Sequence, residues 1–456
     1  MNDIFLSTSR AHGLYDFIIK ASKLNAEKKI KKKLKLKILK KKKITLSFIN
    51  FFIFFLLFKF FFNWKKIISL KYKNCEIGRF AIAKTFRDVS SYKNNFYLYF
   101  NLIKNLFLSG VLVDTALNLK GKVKAVFIDH IGYLNGSLFT IFSKYKIKIY
   151  TNAYPRSLFY IDFSKKKNFP LRSIENTLKL RFIRKKKIKP NKSQIKFYKK
   201  ILTKPNLIPY MKYTKFSKIE KLEPVDWKSY NYVIYAHSFL DAQLWLGYDG
   251  FKNLYDWLTF TINELTKRNC KIIIKSHPNF FNTSIGEMSQ IDKKLFNKIF
   301  NQYQNKNILF INEPIKNYDL LKKISKKTIL ISHHGSALLE GMYLGFKCIS
   351  SKSTFWSSEL KLTNQWKNKA QYKNVLLSDW KKLNFANKEH LNYLLFNVFW
   401  KDKSIYGKNH FLEIISRISK IKRDRMYKLQ HELKVKKEVK KKIIYIIDKN
   451  IEEIKI

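Results

Sequence analysis

Cysteine is scarce in this chain of 456 residues, which contains only three. Cys75, Cys270 and Cys348 lie far apart, and no two of them form a C-x-x-C pair. A disulfide framework needs an even set of cysteines and a structural zinc site needs closely paired ligands, so the sequence predicts neither. We expect the protein to work in a reducing compartment.

Acidic residues, glycine and proline are also few. The chain has 32 Asp and Glu against 92 Lys and Arg, a formal net charge of +60, with 13 Gly and 8 Pro. Such a charge normally indicates nucleic acid or an anionic membrane surface as a partner. Here Lys, Ile, Asn, Phe and Tyr are abundant together, which is the bias that A/T-rich codons impose. The charge is therefore weak evidence for any partner.

A secretory signal peptide is not expected at the N-terminus, because the first apolar block follows a lysine tract from Lys28 to Lys43. That block, Ile44 to Trp64, is rich in Phe and about as long as the roughly 20 residues that cross a bilayer. Lysines flank it on both sides and Lys59 interrupts it, which favours a segment lying on the inner membrane surface. A single membrane span and a buried core helix are the alternatives.

The order of apolar runs and helical patterns predicts an α/β protein. An apolar fraction of 46% in a chain of this length suits two or three domains. Strand and helix patterns alternate in both halves, which predicts two Rossmann-like lobes with parallel sheets. The predicted regions are a basic, membrane-associating arm (1–70), an N-terminal lobe with a connector (71–225), a C-terminal lobe (226–375) and a basic helical tail (376–456).

Histidines follow several of the predicted strands. The strands are expected at 125–128, 232–235, 271–275 and 328–332, and the residues after them include His130, His237, His277, His333 and His334. Ligands of open α/β sheets bind beyond the carboxyl ends of the strands, so this recurrence indicates a binding crevice. The alternatives are hydrogen-bonded structural histidines and a metal site, although the chain has no H-x-x-x-H or H-E-x-x-H pair.

The phrase KIIIKSHPNFF, from Lys271 to Phe281, predicts a phosphate-binding loop. Pro278 locks its own backbone angle and biases His277 towards extended geometry, which holds the imidazole towards the crevice. Lys275 lies two residues earlier, so the loop presents cationic donors to a phosphate whose charge grows as a nucleotide departs. The alternative for Lys275 is a solvated lysine at the strand end.

A second phrase, SHHGSALLEG from Ser332 to Gly341, combines a small turn with a helix predicted from Ala337. Backbone N–H groups at the start of a helix bind anions, and glycine permits a close approach, so Gly335 and Ser336 are candidates for holding the same phosphate. Glu340 lies one turn along the helix, where a carboxylate can reach a ribose hydroxyl.

These phrases resemble the C-terminal half of the capsular polysaccharide biosynthesis proteins. The resemblance is carried by four segments in this order: YAHSFLDAQ (235–243), FKNLYDWL (251–258), IIIKSHPN (272–279) and ISHHGSALLEGMYLGFKCI (331–349). That family is similar in pattern to the Kdo transferases of capsule export, which have the two-lobed glycosyltransferase-B (GT-B) fold. The resemblance spans about Asn231 to Ser350 and extends in weaker form over Ile77 to Pro155.

The resemblance implies a metal-independent glycosyltransferase of GT-B type, with an interlobe cleft and no cofactor. Its donor would be a CMP-, UDP- or CDP-linked sugar, and its acceptor a glycan or a lipid-linked molecule. The family's grip on the donor phosphate carries over to His277, Pro278, Gly335 and Ser336, and the glutamate of its helix to Glu340.

The resemblance also implies where the catalytic groups lie. A general base is expected from the N-terminal lobe, where Asp129 or His130 at a strand end is the candidate, while His277 assists the leaving phosphate.

The expected location is the cytoplasmic face of the cell membrane, where the arm and the tail contact the anionic inner surface. Other polysaccharide-synthesis enzymes are possible partners, and no specific nucleic acid is expected.

Three other functions compete with this reading. One is transfer of a polyol-phosphate from a CDP-glycerol-type donor, which uses the same fold. Another is nucleic-acid binding, against which the aromatic residues fall in apolar strands and no RRM, KH or zinc-finger motif occurs. The last is a non-catalytic membrane-surface protein.

Overall fold

The computed structural model describes part of the chain, in two compact units. The described residues are 4–7, 36–38, 64–88, 96–119, 125–128, 133–145, 147–154, 157–161, 190–207, 214–222, 224–240, 244, 247–281, 287–352, 354 and 360–399. The first unit holds the described residues of Met1–Thr85 and Asn94–Ile174, and the second holds those of Phe86–Lys93 and Glu175–Trp400. Nearly all of the apolar block at 44–64 and the tail from residue 400 onwards lie outside the described residues.

The first unit contains a five-stranded sheet and a short hairpin. Its strands are β1 (Ile4–Ser7), β2 (Leu36–Ile38), β3 (Lys71–Tyr72), β4 (Cys75–Glu76), β5 (Ala125–Ile128), β6 (Lys148–Tyr154) and β7 (Ser157–Ile161), and its helices are α1 (Trp64–Ile68), α2 (Gly78–Asp88), α3 (Phe96–Leu119) and α4 (Asn135–Lys144). The sheet has the order β2-β1-β5-β6-β7, in which only β7 runs antiparallel to its neighbour. This unit is therefore α/β, as the sequence predicts.

Two strands of this sheet lie within the region that the sequence predicts as a membrane-associating arm. β1 pairs with both β2 and β5, in parallel. Strands of three and four residues are too short to show a hydrophobic period, which is why the pattern did not predict them, and β2 also lies within the lysine tract. At least these parts of the arm are integrated into the sheet.

Helix α3 is long and apolar enough to span a membrane over Tyr97–Asn118, and it alone meets that criterion in the described part of the chain. Within the structure, 59% of this stretch is buried. A core helix of a globular domain has the same length and composition, so this finding does not by itself indicate a span.

The second unit contains a six-stranded sheet in which all strands are parallel. Its strands are β8 (Tyr232–Tyr235), β9 (Ile272–Lys275), β10 (Ile308–Ile311), β11 (Ile329–Ser332), β12 (Cys348–Ser351) and β13 (Asn364–Trp366). The order is β10-β9-β8-β11-β12-β13, which is 3-2-1-4-5-6 when the strands are counted from β8. This is the order of the Rossmann fold, whose ligands bind where the order reverses, here between β8 and β11.

Helices connect most of these strands and cover the sheet. They are α5 (Lys192–Thr203), α6 (Leu254–Thr266), α7 (Glu287–Gln302), α8 (Asn317–Lys323), α9 (Ala337–Tyr343), α10 (Lys369–Leu376) and α11 (Lys388–Tyr393). Every residue of β8, β9 and β11 is buried, as expected of parallel strands with helices on both faces. Asn253 caps α6 by accepting from the Asp256 amide at 2.7 Å, which fixes where that helix begins.

The sequence pattern from about Ser353 onwards predicts a helical chain, and the C-terminal part of this unit differs from that prediction. Instead, β13 adds a parallel edge strand beside β12 before α10 begins. Its sequence is NQW, and a short polar edge strand lacks the apolar run by which the other strands are recognised. The prediction for this segment is therefore wrong.

Helix α9 lies close against β11 because residue 341 is glycine. A Cβ built at Gly341 would lie 2.1 Å from Leu330 Cδ1, and the Leu330 side chain is fully buried. Any side chain at position 341 would therefore displace Leu330. It would also shift α9, the helix that carries Glu340, relative to β11.

We expect the substitution Gly341→Ala to destabilise the protein by about 1–2 kcal/mol. Overpacking typically costs about 1–3 kcal/mol, and the gain in helix propensity, about 1 kcal/mol, offsets part of it. Urea denaturation measures the change. In a Leu330→Val background the same substitution should cost less, because the clashing methyl group is withdrawn. An equal cost in both backgrounds would contradict this account of the packing.

Candidate functional site

The carboxyl ends of β8, β9 and β11 bring three of the predicted histidines together. His237 follows β8, His277 follows β9 and His334 follows β11. The ring centroids of His237 and His334 are 3.8 Å apart, and those of His237 and His277 are 5.2 Å apart. We call these three residues the imidazole cluster. It lies at the point where the strand order reverses, which is where a Rossmann sheet binds its ligand.

His334 occupies the most constrained position in the imidazole cluster. Its Nε2 atom is buried and has no hydrogen-bond partner among the described residues. Burial lowers the pKa of His334 well below its ordinary value of 6.5. The nearby rings of His237, His333 and His277 lower that pKa further, because a second positive charge among them is unfavourable. His334 is therefore held as a neutral ring with an available nitrogen.

The neighbouring His333 has a different environment, although it is adjacent in sequence. Its ring is buried between the indoles of Trp257 and Trp366, with centroid distances of 5.6 and 5.8 Å. Its Nε2 atom lies 2.8 Å from Asp249 Oδ2. Of the doubled histidine, His333 thus points into the core of the unit, and His334 joins the imidazole cluster.

Asp249 anchors His333 through this contact, although no motif in the sequence marks it. Burial by itself would raise the pKa of Asp249, but the charge and hydrogen bond of His333 hold it below its ordinary value. A hydrogen bond from the Ser351 hydroxyl, at the end of β12, acts in the same direction. The next residue, Gly250, lets the loop that carries Asp249 approach the backbone of Lys369 closely. A Cβ at position 250 would lie 2.4 Å from the Lys369 backbone nitrogen.

The two Nδ1 atoms of His333 and His334 lie 2.8 Å apart, which is a hydrogen-bond distance. A chain of hydrogen bonds therefore runs from Ser351 through Asp249 and His333 to His334.

The loop that carries His237 is fixed by a buried carboxylate. The Ser238 hydroxyl and the Phe239 amide both donate to Asp292 of α7, the latter at 2.8 Å. Asp292 has no motif around it that sequence reasoning could have used. Its role is to hold the chain in place just after the sheet ends, so that the His237 ring stays beside His334.

Lys275 is buried at the end of β9, with a side chain only slightly accessible to solvent. Burial lowers the pKa of its ammonium group to about 8, although the carboxylate of Glu340 raises it somewhat. The alternative of a solvated strand-end lysine is therefore wrong. The ammonium group interacts with the Glu340 carboxylate through its charge, two residues before His277 of the imidazole cluster.

Glu340 is placed by α9 against Asn317 of α8. Its Oε2 atom accepts a hydrogen bond from Asn317 Nδ2 at 2.9 Å. Burial raises the pKa of Glu340 to about 7, while the Asn317 hydrogen bond and the Lys275 charge limit that rise. Near neutral pH the carboxyl group is thus close to half protonated. The predicted contact of Glu340 with a ribose hydroxyl stays a prediction.

The turn at Gly335 and Ser336 is explained first by the protein's own packing. The Gly335 amide donates to Ser332 Oγ at 3.1 Å, and a Cβ at Gly335 would lie 2.6 Å from that oxygen. Ser336 is exposed and makes no capping hydrogen bond, and α9 has only seven residues. So short a helix offers little dipole of its own to an anion. The side-chain N–H groups at this edge therefore belong to the imidazole cluster and Lys275.

The remaining predicted residues fall into two groups. Pro278 begins a 3-10 turn, Pro278–Phe281, which turns the chain immediately after His277. Asp129 and His130, the candidates for the general base, lie outside the described residues and stay predictions. Across the described part of the chain, no group of three or more His, Cys, Asp or Glu residues has the arrangement of a metal site.

Comparisons with known proteins find no matching family model and no matching curated protein. Among solved structures, the chain is similar to KpsC of Thermosulfurimonas dismutans, a beta Kdo 2,4 transferase, with 12% identity and a TM-score of 0.37 over 65% of this chain and 88% of that one. It is also similar to the UDP-GlcNAc 2-epimerase of Methanocaldococcus jannaschii, with 14% identity and a TM-score of 0.30 over 87% of this chain and 98% of that one.

A third similar structure is the N-terminal domain of a Candida albicans trehalose-6-phosphate phosphatase. Its identity is 10% and its TM-score 0.28, over 87% of this chain and 92% of that one. Similarity at this level identifies neither a family nor an activity. The residues at the edge of the second unit's sheet have to support the functional assignment themselves.

The raised pKa of Glu340 predicts a pH dependence of stability. Its folded-state pKa of about 7 exceeds the ordinary 4.5, so the folded chain binds this proton more tightly than the unfolded chain does. Its contribution to the free energy of unfolding should thus fall as pH rises from about 4.5 to 7, by up to about 3 kcal/mol at about 1.4 kcal/mol per pKa unit. Glu340→Gln should lack this loss.

Urea denaturation at a series of pH values measures the difference between wild type and Glu340→Gln. The matched control is Glu313→Gln, because Glu313 is an exposed carboxylate of the same unit. If the stability difference between wild type and Glu340→Gln stayed constant over this pH range, Glu340 would not be buried as described.

Proposed function

We propose that this chain is a glycosyltransferase that takes a sugar from a nucleotide-activated donor and transfers it to a glycan or lipid-linked acceptor. One observation carries the proposal: three imidazole rings meet at the switch point of a parallel sheet ordered 3-2-1-4-5-6. Nucleotides bind to sheets of this order at that point.

The chemistry of the edge favours a phosphate as the group that is bound there. Neutral imidazole rings and an ammonium group offer N–H donors, and a phosphate offers only acceptors. In sugar transfer, negative charge grows on the phosphate as the bond to the sugar breaks. Fixed donors in a water-poor site stabilise that charge, and removal of one such donor typically costs about 100- to 1000-fold in rate.

The proposed roles follow the positions of the side chains. His277 and Lys275, from the end of β9, and His334, from the end of β11, hold the donor phosphate. His237 packs between the rings of His277 and His334 and keeps them in place. Asp129 or His130 is the proposed base for the acceptor hydroxyl, in a GT-B enzyme of two lobes with a cleft between them.

The proposed setting is surface or capsule polysaccharide synthesis at the cytoplasmic face of the membrane. The support for it is the family resemblance of the sequence, together with the apolar block at 44–64 between two groups of lysines. Lysines next to such a block contribute about 1 kcal/mol each to binding an anionic surface.

A donor panel tests the proposal. The full chain is incubated with CMP-, UDP-, GDP- and CDP-linked donors, and nucleotide release is measured together with thermal stabilisation by each free nucleotide. We expect one nucleotide to raise the unfolding temperature. His277→Ala should lower kcat/KM for its sugar donor about 100-fold, because a hydrogen-bond donor to the departing phosphate is lost.

His390→Ala is the matched control, since His390 lies in α11 and its Nδ1 atom pairs with the Leu360 carbonyl at 2.9 Å, away from the imidazole cluster. Its activity should equal that of the wild type. Stabilisation by none of the four nucleotides would overturn the proposal. Turnover of CDP-glycerol in place of sugar donors would identify a polyol-phosphate transferase instead.

A further inference from the structure

We infer that Asp249, His333 and His334 form a proton relay, which ends at His334 Nε2 and exchanges a proton with the phosphate bound at the imidazole cluster. The identity of that phosphate rests on the proposed function, but the relay itself is a property of the free protein. Its three links are the Asp249–His333 contact at 2.8 Å, the Nδ1–Nδ1 contact at 2.8 Å and the unpartnered Nε2 of His334.

Counting protons shows that the relay has two forms. A hydrogen bond between two ring nitrogens contains one proton, which belongs either to His333 or to His334. If His333 Nδ1 carries it, His333 is an imidazolium paired with Asp249, and His334 has its proton on Nε2. If His334 Nδ1 carries it, both rings are neutral, and His334 Nε2 is a free acceptor.

The two forms differ by one proton, and the proton enters or leaves at His334 Nε2. When that atom takes up a proton, the Nδ1 proton of His334 moves to His333. The positive charge then resides on His333, where the Asp249 carboxylate neutralises it. His334 therefore exchanges a proton without keeping the charge itself.

The surroundings explain why the charge is better placed on His333. The titratable groups facing His334 are His237, His277 and His333, and all three disfavour a positive charge on it. The groups around His333 are the Asp249 carboxylate and two uncharged indoles, and Asp249 also accepts from Ser351. Two tyrosines also lie near Asp249. The Tyr372 hydroxyl shares a hydrogen bond with Thr261 at 2.6 Å, and the charge of Asp249 adds to the burial that raises the pKa of Tyr248.

In sugar transfer the relay would act as the acid. The acceptor hydroxyl gives its proton to the proposed base, Asp129 or His130, and its oxygen bonds to the anomeric carbon. The bond between that carbon and the phosphate oxygen breaks, and its electron pair remains on the phosphate oxygen. The proton of His334 Nε2 passes to the oxygen, the Nδ1 proton of His333 passes to His334, and His333 becomes neutral. Solvent returns the proton after the product leaves, so atoms and charge balance. Asp249 and His333 are positioning residues in this scheme, and His334 is the catalytic residue.

Nitrogen-15 NMR of the histidine side chains tests the relay in the full chain without any ligand. The protein has nine histidines, and His→Gln variants assign their signals. In the wild type we expect one ring with two protonated nitrogens beside a neutral ring protonated only at Nε2, and both signals should change at the same pH. In Asp249→Asn the pH at which the two signals change should fall by about one unit or more, because the carboxylate that neutralises the charge is lost. In His390→Gln that pH should be unchanged.

A second variant tests the relay in case Asp249→Asn does not fold. Ser351→Ala removes one hydrogen bond to Asp249 but keeps the carboxylate, which becomes more basic, so we expect a smaller shift in the opposite direction. Independent titration of His333 and His334 in the wild type, or no shift in either variant, would overturn the relay.

Kinetics then separate the relay from the proposed function. If the donor panel identifies a substrate, Asp249→Asn should lower kcat at least 10-fold, with KM for the donor nearly unchanged and the pH profile displaced. If the NMR signature is observed but no nucleotide binds, the relay is supported and the transferase proposal is rejected. If wild type and Asp249→Asn turn over a donor equally well, the relay is rejected and the transferase proposal is supported.

Discussion

The buried contact between Asp249 and His333 is the interaction on which the site depends. It joins the loop before α6 to the end of β11, and through Ser351 it also reaches the end of β12. Removing one partner of a buried charged pair typically costs about 3–5 kcal/mol, because the other is left without compensation. The contact also decides the direction of two successive histidines: His333 points inward, and His334 joins the imidazole cluster.

The strand order supplies the second constraint. The order of this parallel sheet reverses between β8 and β11. In such a sheet the chain leaves the carboxyl ends of the two strands in opposite directions, and a crevice forms between those ends. His237 and His334 follow the two strands that border the crevice, and Lys275 and His277 follow from β9. A chain with few acidic residues thus gathers N–H donors at one edge of a sheet, as the binding of a phosphate requires.

Much of the second unit follows from the sequence, because parallel strands buried on both faces are continuous apolar runs. β8 has the predicted bounds, and the convergence of His237, His277 and His334 follows from their places after parallel strands. Asp249 could not be found in this way, since it lies in a loop and its partner is 84 positions away in the chain. β13 was missed because its stability comes from pairing with β12 and not from its own composition.

The burial of Lys275 and the engagement of Glu340 with Asn317 were equally beyond sequence reasoning. Both depend on the packing of α8 and α9 against the sheet, which no local pattern records. The sequence predicts the turn at Gly335 in its correct place but gives only part of the reason for the glycine. The absence of a side chain there makes room for the Ser332 hydroxyl. The general base, Asp129 or His130, lies outside the described residues.

The most direct test of the central claim is a crystal structure of the chain with the nucleoside mono- or diphosphate that stabilises it. We predict phosphate oxygens within about 2.7–3.2 Å of ring nitrogens of His277 and His334, the range of N–H···O hydrogen bonds. A nucleotide bound away from the ends of β8, β9 and β11, with the imidazole cluster making no contact to it, would contradict the account.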